Sequence, residues 1–174
     1  EKECGQDEYF FNRTIAKQPV TAEAQPDGLK SLAEEVAACT RCELYKTRKN
    51  PVFGSGSPRA KLMFIGEAPG EEEDLQGLPF VGRAGQLLTK IIEAMGMKRE
   101  DVYIANILKC RPPNNRTPLP TEILACEENV ERQIAIIKPK VICTLGKFAS
   151  QTLLKDTQTP ISALRGKFHE YNGI

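Results

Sequence analysis

Apolar residues in this chain fall into two alternating spacings. Leu29, Leu32, Val36 and Ala37 recur at helical intervals and predict an amphipathic helix. Ala60 to Gly66 is a short apolar run that ends at glycine and predicts a strand. Leu87, Leu88, Ile91, Ile92 and Met95 predict a second helix, with Gly96 as its cap. A strand-like run follows from Val102 to Leu108, with Cys110 closing it, and then a helix from about Pro120 to Ile137 that Pro139 ends. Lys140 to Leu145 predicts a third strand, Gly146 a turn, and Lys147 to Leu154 a short helix. Between these lie a Gly/Pro/Ser loop from Asn50 to Pro58, a long polar loop from Glu67 to Gly85, and a proline-rich loop from Arg111 to Pro118. Gly166 to Tyr171 resembles half of a β-hairpin.

Strand–helix alternation of this kind predicts an α/β fold, a parallel sheet with helices on both faces. Residues 1–26 are polar and aperiodic and are expected to form a loosely ordered extension, leaving residues 27–174 as one domain. In such folds the site lies beyond the carboxyl ends of the strands, here at Gly66 to Gly70, Asn106 to Pro113 and from Gly146 onward.

Composition narrows the picture little. The chain has 174 residues, 40% of them hydrophobic and 27% charged, with a formal net charge of +1. Contact with nucleic acid would therefore depend on a local patch; Lys109, Arg111, Arg116, Arg165 and Lys167 are the candidates for phosphate, each otherwise a plain surface charge. No apolar run is long enough to cross a bilayer, and no signal peptide is visible. The chain does not begin with Met; the expectation is a cytoplasmic, partial chain.

The six cysteines carry more. Cys39 and Cys42 form a Cys-x-x-Cys pair, Cys110 sits at a strand end, and Cys126 lies in the helix after the proline loop. Thiols from these settings can close one tetrahedral thiolate site, suited to an iron–sulfur cluster or Zn²⁺. The only histidine is His169, which excludes Cys₂His₂ zinc. Disulfides fit less well without a secretory signal. Cys143, in an apolar strand, reads as a small core residue.

Three further segments occur in a fixed order: Gly66-Glu67-Ala68-Pro69-Gly70, the stretch from Gly77 to Gly85 containing Pro79-Phe80-Val81-Gly82, and Asn106-Ile107-Leu108-Lys109-Cys110-Arg111-Pro112-Pro113. With the cysteines they resemble the family 4, iron–sulfur uracil-DNA glycosylases, from about Leu29 to the end. The resemblance implies a three-layer α/β/α fold around a four-stranded parallel sheet, and a [4Fe–4S] cluster on Cys39, Cys42, Cys110 and Cys126, with Zn²⁺ on the same thiolates as the alternative. It implies a DNA repair hydrolase, monomeric, prokaryotic and nucleoid-associated, that flips uracil out of DNA and cuts its N-glycosidic bond. A non-catalytic uracil-DNA-binding protein of the same fold is the alternative function. An iron–sulfur electron carrier would need none of the residues below.

Phe80 is expected to stack on the flipped base; otherwise it is a core aromatic. Asn106 is expected to read the base, because a carboxamide can donate to O4 and accept from N3–H of uracil, whereas cytosine presents the inverse pattern. Otherwise it caps a turn, although the strand is expected to continue past it. Glu67 is expected beside the sugar, placing or activating water; otherwise it is a cap. Glu73, in the acidic run Glu71 to Asp74, is expected near C5 of the base, where it excludes a thymine methyl; otherwise it is part of a solvated turn. Backbone amides of Ala68 to Gly70 and Gly82 to Gly85 are expected to be available to base oxygens or phosphate.

The family also carries a C-terminal His-Pro motif that stabilises the departing base. The sequence ends at Ile174 without it, and His169, followed by Glu170, is read as structural or exposed. The last parallel strand is likewise expected to be absent, with reduced activity and stability as the consequence. A related branch captures DNA covalently through a histidine in an inserted loop. No insertion and no histidine occur between Gly85 and Asn106.

Overall fold

The structure, a computed structural model, describes residues 25–174. Cys4 and nearly all of the N-terminal extension lie outside the described residues. Among the described residues six α-helices and four strands follow in order: α1 (Gln25–Ala37), β1 (Ser55–Gly56), β2 (Leu62–Gly66), α2 (Glu71–Gln76), α3 (Arg83–Ala94), β3 (Tyr103–Asn106), α4 (Pro120–Ile137), β4 (Val141–Thr144), α5 (Lys147–Leu154) and α6 (Ile161–Leu164).

The sheet has strand order β1-β3-β2-β4. β2 runs parallel to both β3 and β4, with Gly66 opposite Asn106 and Met63 opposite Ile142. These are the three parallel strands that the alternation predicts. The fourth strand is an addition at the other edge: Ser55 and Gly56 pair antiparallel with Ile104 and Tyr103, which makes the sheet mixed. This pairing occurs inside the segment expected to be a loop. Gly56 sits at φ +125, and a Cβ there would collide with the Val102 carbonyl, so only glycine lets the backbones approach this closely. A Ser–Gly pair has no apolar alternation to announce such a strand.

Side-chain parity along the strands divides the core. Met63 and Ile65 of β2 and Tyr103 and Ala105 of β3 face a layer built by α1, α4 and α5 through Leu32, Val36, Val130, Ile134 and Ala149. Phe64 and Ile104 face the opposite way, against Leu88 and Ile92 of α3. The result is helices on both faces of the sheet. The same parity continues to the strand ends. Gly66 and Asn106 therefore share the α3 face with Phe64 and Ile104.

Three expectations need correcting. β3 ends at Asn106 and does not run on to Cys110. Backbone pairing continues briefly, with Ile107 donating to the Gly66 carbonyl and Leu108 to that of Glu67, but the chain then turns toward the thiols. The long loop from Glu67 to Gly85 contains α2, formed from the acidic run itself. Its carboxylates lie at the helix N-terminus, where the dipole favours them. Residues 166–171 form turns and bends, not a hairpin strand. Phe168 is fully exposed and only Tyr171 of the segment packs on the core, so no alternating apolar face supports an extended pairing.

Candidate active site and thiol cleft

The site begins at the carboxyl ends of β2 and β3. Gly66 and Asn106 face each other there, and Phe80 reaches in from the loop after α2. A Cβ on Gly66 would lie 2.5 Å from Asn106 Oδ1 and 2.5 Å from Phe80 Cζ. The amide of Asn106 and the ring of Phe80 thus close on the same bare Cα. Asn106 is 2% exposed, and its Oδ1 is the one buried side-chain oxygen or nitrogen among the described residues with no hydrogen-bond partner. Leaving a buried acceptor unpaired costs about 1–3 kcal/mol, so an orphan here needs an explanation.

Phe80 is half-buried and has φ +53, the left-handed region that a bulky residue rarely occupies. Such strain costs of order 1–3 kcal/mol and persists only where neighbouring bonds enforce it. They do so here. Glu73 Oε1 accepts from the backbone amides of Val81 (2.9 Å) and Gly82 (2.8 Å), and Oε2 from that of Gly70 (3.1 Å). Gly85, in the first turn of α3, packs against the carbonyl of Phe80 so closely that any side chain would collide with it. Arg99 donates to the carbonyl of Pro79 at 2.8 Å.

These bonds change several sequence expectations. The amides of Gly70 and Gly82, expected to be available to substrate, are occupied by Glu73. Glu73 is not in a solvated turn; its carboxylate joins the start of α2 to the Phe80 loop. Its neighbour Asp74 is 2% exposed and accepts from the amides of Lys49 and Asn50, tying α2 to the segment after Cys42. Ala68 packs beside the thiols, against the cluster formed by Leu44, Leu108, Cys110 and Cys126. Glu67 is half-buried at the end of β2, and burial holds its carboxyl above the ordinary carboxylate range.

Cys39, Cys42, Cys110 and Cys126 line one cleft, together with Arg41, Arg48, Lys109 and Asn129. All four are free thiols. Among the described residues no group of three or more His, Cys, Asp or Glu is arranged to hold a metal ion as it stands. The cleft is rich in donors aimed at sulfur. Arg48 Nη1 lies 3.1 Å from Cys110 Sγ, and the Lys109 amide 3.3 Å and Asn129 Nδ2 3.5 Å from Cys126 Sγ. Arg41 reaches Asn129 Oδ1 at 2.8 Å and so orients that amide. Burial pushes the Cys110 thiol up to about 11, with Arg48 opposing the shift. Arg41 and Arg48 bring cationic charge to the cleft that the four sulfurs line. The donor set therefore fits an anionic metal–thiolate group.

Lys109 joins the two regions. Expected at a phosphate, it is 1% exposed and cannot reach one. Its Nζ donates to the Asn106 carbonyl at 2.7 Å and to Gln133 Oε1 at 2.6 Å. Gln133 in turn donates to the Phe53 carbonyl and to the Tyr103 hydroxyl. Burial draws the Lys109 ammonium down to about 8, with the Cys126 sulfur acting against the shift. Arg116 is also committed, to Glu122 at 2.6 and 2.9 Å, and Arg111 lies 3.6 Å from Glu71. Arg165 and Lys167 remain exposed. His169 is exposed, with Nε2 3.0 Å from the Leu164 carbonyl, far in role from any base.

No signal in the sequence pointed to Arg99, Asp74 or Gln133. Each holds a backbone carbonyl or amide distant in the chain, and such partners leave no motif.

Comparison with known proteins places the chain in a family. Residues 53–173 match the model of the uracil DNA glycosylase superfamily. The chain is 51% identical over 150 residues to a type-4 uracil-DNA glycosylase of Saccharolobus solfataricus, covering 84% of this chain and 69% of the relative. It is 48% identical over 147 residues to the type-4 enzyme of Archaeoglobus fulgidus, covering 83% and 74%. A type-5 uracil-DNA glycosylase of Thermus thermophilus is more distant, at 30% over 162 residues, covering 83% and 73%. The chain belongs to the uracil-DNA glycosylase superfamily and, within it, to the type-4 uracil-DNA glycosylases.

Proposed function

We propose that this protein excises uracil from DNA by hydrolysing the N-glycosidic bond of an extruded deoxyuridine. The observation that carries the reading is the unpaired Oδ1 of buried Asn106, beside Gly66 and Phe80. A uracil entering there supplies what the oxygen lacks. N3–H donates to Oδ1, and the Asn106 amide donates to O4. Cytosine has an acceptor at N3 and a donor at C4 and would mismatch both. The Phe80 ring offers the stacking face that an unstacked base needs.

Glu67, at the end of the strand that carries Gly66, is suited to hold the attacking water. The water oxygen bonds to C1′ as the C1′–N1 bond breaks, and the bonding pair leaves on uracil N1. The water proton passes to the Glu67 carboxylate, and solvent later protonates the base. A carboxylate also stabilises the cationic sugar as it develops.

Cys39, Cys42, Cys110 and Cys126 are suited to hold a [4Fe–4S] cluster. The all-thiolate set, with Arg48, the Lys109 amide and Asn129 donating to its sulfurs, suits an anionic iron–sulfur group; Zn²⁺ on the same thiolates is the alternative. Held there, it would tie the Cys-x-x-Cys turn, the chain after β3 and α4 to one another. Among the described residues no helix is long and apolar enough to cross a membrane. The setting proposed is a monomer acting on DNA in a prokaryotic cytoplasm.

The test is a single-stranded oligonucleotide with one uracil, assayed for alkali-labile abasic sites against thymine and cytosine controls. Cleavage of the uracil strand alone is expected. The purified protein should carry a broad visible absorption that Cys126→Ser removes. A colourless protein containing stoichiometric zinc would overturn the cluster assignment.

A further inference from the structure

We propose that Arg99 is a positioning residue for Phe80, one jaw of a clamp whose other jaw is Glu73. The inference rests on the reading of Phe80 as the residue that stacks on the flipped base.

Phe80 has the left-handed backbone, φ +53, that an aromatic residue does not hold unaided. Its ring is useful only if that conformation is kept, because the same conformation places Cζ against Gly66 and beside Asn106. The peptide units on both sides of Phe80 are pinned. Upstream, Arg99 Nη2 donates to the Pro79 carbonyl at 2.8 Å. Downstream, Glu73 Oε1 accepts from Val81 and Gly82. Arg99 is itself anchored, since Nη1 donates to Thr89 Oγ1 at 3.0 Å, and Thr89 Oγ1 donates to the Gly85 carbonyl at 3.0 Å. Gly85 is the residue whose Cα rests on the Phe80 peptide. The path from Arg99 therefore returns to Phe80 from both ends of the loop.

The ion pairs among the described residues all lie elsewhere. Arg99 is a half-buried guanidinium whose described side-chain hydrogen bonds go to one carbonyl and one hydroxyl. A rigid fork can hold two acceptors at fixed separation, which a lysine ammonium on a flexible stem does poorly. This geometry identifies the task as fixing a loop, not neutralising an acid.

The experiment measures binding of the full chain to a fluorescent single strand carrying one 2′-fluorinated deoxyuridine, whose glycosidic bond resists cleavage. A matched thymidine strand is the reference, and the readout is the ratio of the two Kd values. Arg99→Ala, Arg99→Lys, Phe80→Ala and the Arg99→Ala/Phe80→Ala double variant are compared, each with its melting temperature. Loss of stacking should cut the uracil preference by roughly tenfold in Arg99→Ala and in Phe80→Ala. The double variant should lose no more than Phe80→Ala alone, since Arg99 acts only through that ring. Arg99→Lys, which keeps one donor and the fold, should fall between Arg99→Ala and the parent. An unchanged preference in both folded Arg99 variants, or losses that multiply in the double variant, would overturn the proposal. An unchanged preference in Phe80→Ala would overturn the stacking reading itself, and the clamp with it.

Discussion

Gly66 and Asn106 are register partners at the ends of β2 and β3, and the side chain that Gly66 lacks is the space that Asn106 and Phe80 use. Their pairing makes the base site a consequence of strand parity. Each lies two residues beyond a core residue, Phe64 and Ile104, that packs on α3, so both face that layer. The polar amide and the bare Cα come at the point where the core gives way to solvent.

Gly66→Ala is the most direct perturbation of this relationship. Its methyl would need to sit 2.5 Å from both Asn106 Oδ1 and Phe80 Cζ. Overpacking of this kind costs about 1–3 kcal/mol, and the ring is the mobile partner. Urea unfolding should show that loss together with weakened uracil binding. A variant that binds uracil-DNA as tightly as the parent would show that the Gly66 surface is not part of the pocket.

Glu67 supplies a pH dependence. Burial raises its carboxyl above the ordinary range, so between the ordinary and the raised value the folded protein keeps a proton that the unfolded chain has released. Its contribution to stability is thus fully present below the ordinary value and is lost as pH rises through the raised one. Activity runs in the opposite sense, because only the ionised carboxylate can take a proton from water. Single-turnover excision should rise with pH across that window, and Glu67→Gln should be slow and lack this acidic limb. An identical limb in Glu67→Gln would assign the titration to another group.

Lys109→Met removes the donors that hold the Asn106 carbonyl and Gln133 Oε1 while keeping the apolar stem. Each buried acceptor left unpaired costs about 1–3 kcal/mol. The protein as isolated should unfold at lower urea and bind uracil-DNA less tightly. Adding Gln133→Leu removes one stranded acceptor but also the donor to the Phe53 carbonyl and the Tyr103 hydroxyl, so it should restore neither stability nor binding. Unaltered stability and binding in Lys109→Met would show that this lysine does not support the base-reading strand end.

Much of this arrangement was legible in the sequence. The apolar runs located β2, β3 and β4, the helical stripes located α1 and α3, and the prolines at 120 and 139 bounded α4 closely. Phe80, Asn106 and Gly66 could be singled out because ordered motifs carried them. Contacts made by backbone were not legible. β1 is two residues without apolar alternation. α2 is an acidic run whose helix depends on Glu73 returning to Gly70. Arg99 touches a carbonyl and a hydroxyl that no pattern records. Lys109 was misplaced for a related reason: lysine is among the residues least often buried, and only the carbonyl of Asn106 and the amide of Gln133 make its burial tolerable.

The measurement that tests the central claim most directly is the release of free uracil from a uracil-containing single strand, with Asn106→Ala run in parallel. Removing an acceptor that has no partner in the folded protein should leave stability within about 1 kcal/mol. Losing the group that reads and holds the base should slow release by about 10²-fold or more. The account predicts uracil release by the parent, none from a thymine strand, and a stable, nearly inactive Asn106→Ala. No release by the parent, or equal rates in the two proteins, would contradict it.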